Sequence, residues 1–181
     1  MFGTMNNELR IGVIGLGYVG LPLAVEFGRR YPTVGFDISE GRISELQQGH
    51  DRTGEVDDFS SSPHLSFSSD LEKIRDCNVY IVAVPTPVDS DMRPDLTPLI
   101  RASETVGKVI DPNDIVIYES TVYPGATEED CIPVVEKTSA PPSAAHRPRC
   151  VGLAARRRQL QPRVRPSARW IPCICVPNAP T

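Results

Sequence analysis

Short apolar runs recur at 11–14, 34–36, 79–84 and 115–118. Each is too short for a helix and rich in Val and Ile, as expected of strands buried on both faces of a parallel sheet. Between them, the stretches 18–30, 40–48, 96–110 and 128–137 read as helical. This alternation predicts βαβ units and an α/β, doubly wound parallel sheet. A weaker run at 65–67, after a polar loop at 51–63, predicts a short edge strand, and right-handed crossovers then give the strand order 3-2-1-4-5. Thr97 followed by Pro98 predicts an N-cap with proline at the first helical position. Gly49 and Gly107 read as helix ends or weak points. Pro22, early in its helix, predicts a local distortion rather than a break.

The pattern stops after residue 138. The last 43 residues, from Ser139 on, hold 8 Arg, 8 Pro and 3 Cys and no Asp, Glu or Lys. Prolines recur there too often for a helix or a central strand. The expectation is therefore an ordered domain at 1–138, truncated after about five strands, and an irregular or disordered Pro/Arg-rich tail at 139–181. Loss of every acid at once, with the residues of G+C-rich codons in their place, suits translation in a shifted frame; the alternative is a basic arm for an anionic partner.

Composition adds limits. At 181 residues the chain suffices for one domain with a real core, and its net charge of −4 gives no reason to invoke nucleic acid or anionic lipid. The start MFGTMNNELR lacks the basic and apolar segments of a signal peptide, and no run is long enough to span a membrane, so a cytoplasmic protein is expected. The five cysteines form neither a disulfide framework nor a spaced zinc site, and no metal is expected. Cys77 and Cys131 read as small buried apolar residues.

The chemistry-bearing motif is Gly15-Leu16-Gly17-Tyr18-Val19-Gly20. A lone G-x-G-x-x-G is weak, but here it joins a predicted strand to a predicted helix. Gly15 permits the tight turn, Gly17 lets backbone approach a pyrophosphate, and Gly20 lets helix and strand pack closely. The N–H groups near Gly17, Tyr18 and Val19, at the positive end of the helix, would hold the phosphates. Asp37 follows 22 residues after Gly15, at the end of the second strand. A carboxylate there accepts both hydroxyls of an adenosine ribose and repels a 2′-phosphate, which favours NAD over NADP; the alternative for Asp37 is a helix N-cap. Arg42 could meet a phosphate, lie over adenine or pair with Asp37. FAD and S-adenosylmethionine proteins use similar glycine turns. Thr86, in Val84-Pro85-Thr86-Pro87, and Thr121, in Glu119-Ser120-Thr121, would end strands four and five at the same edge. They are candidates for cofactor contacts or for simple turn hydrogen bonds. Glu119 is a candidate general base or a structural carboxylate.

Taken together, IGVIGLGYVGLPLAVEFG, GFDI, VPTP, PDLTPLIRASETVG and YESTVYPGATEE resemble the NAD-binding domain of the UDP-glucose/GDP-mannose dehydrogenase family, the nucleotide-sugar 6-dehydrogenases. The resemblance covers residues 9 to about 138, and its middle segments are most similar to the UDP-N-acetylhexosamine branch of Vi-antigen and O-antigen biosynthesis. It implies a Rossmann-type domain and oxidation of a sugar C6 alcohol to a carboxylate, with NAD as acceptor and a cysteine thiohemiacetal on the way. It also implies that Gly15, Gly17, Tyr18, Val19 and Gly20 hold the pyrophosphate and Asp37 and Arg42 the adenosine ribose. Thr86 would lie by the cofactor and Thr121 near the nicotinamide.

The chain departs from the family after Thr138, where the sixth strand, an S-P-E-R segment, a dimerisation helix and the F-G-G-x-C nucleophile would follow. Cys150, Cys173 and Cys175 have no such setting, so no catalytic residue is assigned. The expectation is an NAD-binding domain inactive alone, whose parent is a homo-oligomer acting on a UDP-sugar. The alternative is a non-catalytic NAD-binding module with a basic partner-binding tail. Relatives of β-hydroxyacid dehydrogenases share the glycine turn, but VPTP and ESTVYPG argue against them.

Overall fold

Ile11–Ile14 is buried along its whole length, as its apolar sequence requires of a central strand. In the computed structural model it forms β1, with β2 (Thr33–Phe36) on one side and β4 (Val79–Val82) on the other, both parallel. The structure describes residues 9–59, 61–88 and 94–139, and the backbone of 149–152. β3 (Leu65–Ser68), β5 (Ile115–Tyr118) and β6 (Arg149–Gly152) complete an all-parallel sheet in the order β3-β2-β1-β4-β5-β6. The expected order 3-2-1-4-5 is thus present.

It is also extended, and this corrects the expectation that no sixth strand follows. β6 pairs with β5 from Ile115 opposite Arg149 to Tyr118 opposite Gly152, so the edge of β5 is covered. Strand pairing is made by backbone, which an Arg/Pro-rich composition does not abolish wherever four residues free of proline occur together. Otherwise the tail and its suggested partner-binding role lie outside the described residues.

The helices pack on both faces: α1 (Gly20–Gly28), α2 (Glu40–Gln47), α3 (Thr97–Gly107) and α4 (Ile132–Thr138). Side-chain alternation along β1 divides the core. Ile11 and Val13 join Leu21 and Ala24 of α1 and Ile43 and Leu46 of α2. Ile14 faces the other way, with Leu99 and Val106 of α3 and, toward α4, Cys131.

Three local expectations change. α3 begins at Thr97 itself, after Leu96 and with no side-chain cap, and the Asp95 carboxylate accepts the Thr97 N–H at 2.9 Å. Pro98 then sits within the first turn, where a missing N–H leaves nothing unsatisfied. Pro22 likewise falls in the first turn of α1, between Leu21 N–H on the Gly17 carbonyl and Leu23 N–H on the Val19 carbonyl. The predicted helix at 128–137 opens with a π turn, Thr127–Cys131. Pro133 cannot donate to the carbonyl four residues earlier, and the wider turn absorbs that gap.

Candidate functional site

The carboxyl ends of β1, β2 and β4 face a cleft of about 560 Å³. Its floor is apolar, with Ile14, Phe36, Ala83 and Val84 among its residues. The glycine turn closes one end. Gly15, at φ +90°, adopts the left-handed backbone that turns the chain out of β1. A Cβ at Gly17 would meet nothing within 4 Å, so open space lies beside this backbone. At Gly20 a Cβ would overlap the Gly15 carbonyl oxygen, and glycine is what lets α1 start against the turn. Tyr18 and Val19, next in the turn, are 69% and 52% exposed.

Leu16 is the fixed point of the turn. Its side chain is buried in the core, its N–H donates to Asp37 Oδ2 at 3.0 Å, and its carbonyl accepts Arg42 Nε–H at 2.9 Å. Asp37 Oδ1 accepts the Ser39 N–H at 2.9 Å. Each carboxylate oxygen therefore keeps a second acceptor site. Asp37 does not cap α2: Ser39 does, accepting the Arg42 N–H.

Arg42 lines the cleft with Asp37, and its side chain is also bonded within the protein. The residue is 2% exposed; Nη2 donates to Asp51 Oδ1 at 2.7 Å, and Nη1 faces Glu45 Oε2 at 3.6 Å. Helix α2 carries it beneath the turn, where Nε and Nη2 are taken by the Leu16 carbonyl and Asp51 while the residue still borders the cleft. Asp51 also accepts from Thr53, Glu55 and Val56. Burial opposes its charge, yet these hydrogen bonds and Arg42 hold its carboxyl well below the usual range.

The two threonines meet each other. Thr86 Oγ1–H donates to the Thr121 carbonyl at 2.7 Å, and Ser120 Oγ–H donates to the Val84 carbonyl at 2.7 Å. These bonds tie the β4 and β5 ends together; the cleft lining reaches Pro85 but includes neither threonine. Thr121 is exposed. Glu119 is half-buried, and burial raises its carboxyl pKa; the lining of the cleft does not include it. Burial pushes the thiols of Cys77 and Cys131 up to about 11, as expected of inert core residues.

Several cleft residues escaped the sequence reading. Ile38 is 77% exposed beside Asp37, and Arg52 and Thr53 approach from the following loop. Thr97, Arg101 and Thr105 line the opposite wall. Their spacing of four along α3, opposite buried Leu99 and Val106, was the signal that could have found them.

The residues fit an anionic dinucleotide. α1 has no side-chain cap; Leu21 N–H and Leu23 N–H are taken by the Gly17 and Val19 carbonyls and Pro22 has none, so a ligand would be met by the Gly20 N–H and the turn before it; α2, by contrast, is capped by Ser39. Open space beside Gly17 and free acceptor sites on Asp37 complete the fit. The sequence profile described as UDP-glucose/GDP-mannose dehydrogenase family, NAD binding domain, matches residues 9–147.

The chain belongs to that family.

Its fold is the NAD-binding domain of UDP-sugar dehydrogenases, and its cofactor is NAD. Among curated relatives, UDP-N-acetyl-D-glucosamine 6-dehydrogenase of Pseudomonas aeruginosa is 61% identical over 135 residues, 74% of this chain and 32% of the relative. The protein of the same name in Salmonella typhi is 54% identical over 141 residues, 77% of this chain and 33% of the relative. Among solved structures, UDP-D-ManNAc dehydrogenase of Pyrococcus horikoshii superposes with a TM-score of 0.70 at 32% identity, covering 82% of this chain and 36% of that one. The chain thus spans about a third of the length of the relatives it matches. No helix among the described residues is long and apolar enough to cross a membrane.

Proposed function

We propose that this chain is the cofactor-binding part of a UDP-N-acetylglucosamine 6-dehydrogenase that makes a sugar uronic acid for surface polysaccharide. The observation that carries the cofactor role is the Leu16 peptide, held by Asp37 and Arg42 beside an uncapped helix start. The choice of sugar rests on similarity. Relatives named for N-acetylglucosamine are 61% and 54% identical, whereas those named for N-acetylmannosamine are at 40% or below.

NAD, when bound, supplies the hydride acceptor. This chain's residues hold it. Amides of Gly17, Tyr18, Val19 and Gly20 face the pyrophosphate, and the N-terminal end of α1 favours its negative charge. Asp37 accepts the ribose hydroxyls on its two remaining acceptor sites and repels a 2′-phosphate. Ile38 and the α3 wall flank the adenine, and the apolar floor keeps water from the dinucleotide. Thr86 and Thr121 fix the backbone at the nicotinamide end. No catalytic residue is proposed within the chain, and activity belongs to a polypeptide that adds the thiol nucleophile and the sugar site.

The test is a titration of the chain with NADH, read by fluorescence, beside a turnover assay with NAD and UDP-N-acetylglucosamine. Saturable NADH binding without turnover is expected. NADH formation proportional to chain concentration would overturn the assignment of catalysis elsewhere, and no NADH binding by folded chain would overturn the cofactor role.

A further inference from the structure

The side chains of the Arg42–Asp51 ion pair are 3% and 0% exposed. Such a pair contributes little net stability, so its arrangement calls for another reason. Arg42 Nε reaches across 26 residues to the Leu16 carbonyl, while Nη2 is held by Asp51. Asp51 in turn accepts the N–H groups of Thr53, Glu55 and Val56 and the Thr53 hydroxyl. Its carboxylate has no freedom to follow Arg42 elsewhere. Leu16 is gripped on its N–H side by Asp37, which the cofactor reading uses, and on its carbonyl side by a chain ending at Asp51. Thr53 and its neighbour Arg52 line the cleft, whereas Asp51 does not.

We propose that Asp51 is a positioning residue for the dinucleotide: through Arg42 it sets the plane of the Leu16–Gly17 peptide, and through its own loop it sets Arg52 and Thr53 on the cleft wall. This rests on the cofactor reading above. A rotated Leu16–Gly17 peptide would turn the Gly17 N–H away from a phosphate while leaving the sheet intact, so binding and stability separate.

The experiment compares Asp51→Asn, Thr53→Val and Tyr80→Phe in the 181-residue chain. Asp51→Asn removes the charge that holds Arg42, and Thr53→Val removes the hydroxyl bonds to Asp51 at a position that also lines the cleft, so Leu16 exchange without cofactor, which a lost ligand contact would not move, is read beside affinity. Tyr80→Phe is the control, because the Tyr80 hydroxyl is buried against the Ile74 and Val109 carbonyls, away from the cleft. NADH affinity is read by fluorescence and the Leu16 amide by hydrogen exchange without cofactor, both well below each variant's Tm. Asp51→Asn is expected to weaken NADH about tenfold, the worth of one charge-assisted hydrogen bond, and Thr53→Val by about half that on a logarithmic scale. Both should speed Leu16 exchange, while Tyr80→Phe lowers Tm without changing affinity. Unchanged affinity in Thr53→Val, or equal weakening by Tyr80→Phe, would overturn the proposal. If Asp51→Asn does not fold, Thr53→Val decides alone. Should the parent fail to bind NADH, the cofactor reading falls, and the proposal falls separately if Leu16 exchange is the same in parent and Thr53→Val.

Discussion

Gly17→Ala separates a residue needed by the fold from one needed by a ligand. A Cβ there would touch no atom within 4 Å, and Gly17 is not among the glycines with positive φ. Alanine is therefore compatible with the native backbone. Such a change stabilises by about 0.4–1 kcal/mol, because the unfolded chain has fewer states to lose. For a domain of this size that raises Tm by about 1–4 °C. The same methyl occupies the space where a pyrophosphate would approach the first turn of α1. Losing one hydrogen bond to a charged phosphate removes about 1.5–3 kcal/mol, so NADH affinity should fall about ten- to a hundredfold. Differential scanning fluorimetry reads the first effect and NADH fluorescence titration the second. Unchanged affinity would show that the phosphates do not pass Gly17, and a lowered Tm would show that the space beside it is not open.

Gly20→Ala should act in the opposite way: its Cβ overlaps the Gly15 carbonyl, and overpacking of this kind costs about 1–3 kcal/mol, read as a lower urea midpoint. Acid should weaken the Asp51 loop. The folded pKa of Asp51 is depressed by hydrogen bonds that outweigh its burial, so its contribution is present above the unfolded value of about 3.9 and is lost as pH falls further. Urea midpoints taken from neutral to acid pH should show that fall, and Asp51→Asn should flatten it. Asp114 has the reverse sign, since burial raises its pKa while Oδ2 still accepts the Asp111 N–H. Asp114→Asn should accordingly stabilise at pH 7, with the gain shrinking as acid protonates the parent; an equal gain at every pH would contradict that cause. Cys77 and Cys131, both buried, should resist iodoacetamide in the folded chain and react in urea, as peptide mass mapping would show.

The sheet was legible because burial on both faces makes β1, β4 and β5 read as continuous apolar runs, and the glycine turn because its spacing serves one geometry. Asp37 was legible by its place at a strand end. The use of Arg42 was not, since sequence places a cation near the site but does not say which face of α2 it lies on or that Asp51 waits nine residues away. At α3 Asp95 accepts the N–H of Thr97 itself, because the helix starts at Thr97 and not one residue later, and sequence does not fix a helix start to the residue. Ile38, Arg52 and Thr53 sit in loops, where no periodicity marks a wall. β6 was missed because its composition resembles its surroundings.

The most direct test is an amide-resolved NMR titration of the 181-residue chain with NAD. Shifts are expected at Leu16, Gly17, Tyr18, Val19 and Gly20 and at Asp37 and Ile38, with the opposite end of the sheet around Arg10 and Asn78 unmoved. Saturation that leaves the glycine turn unshifted, or no shift from folded protein, would contradict the account.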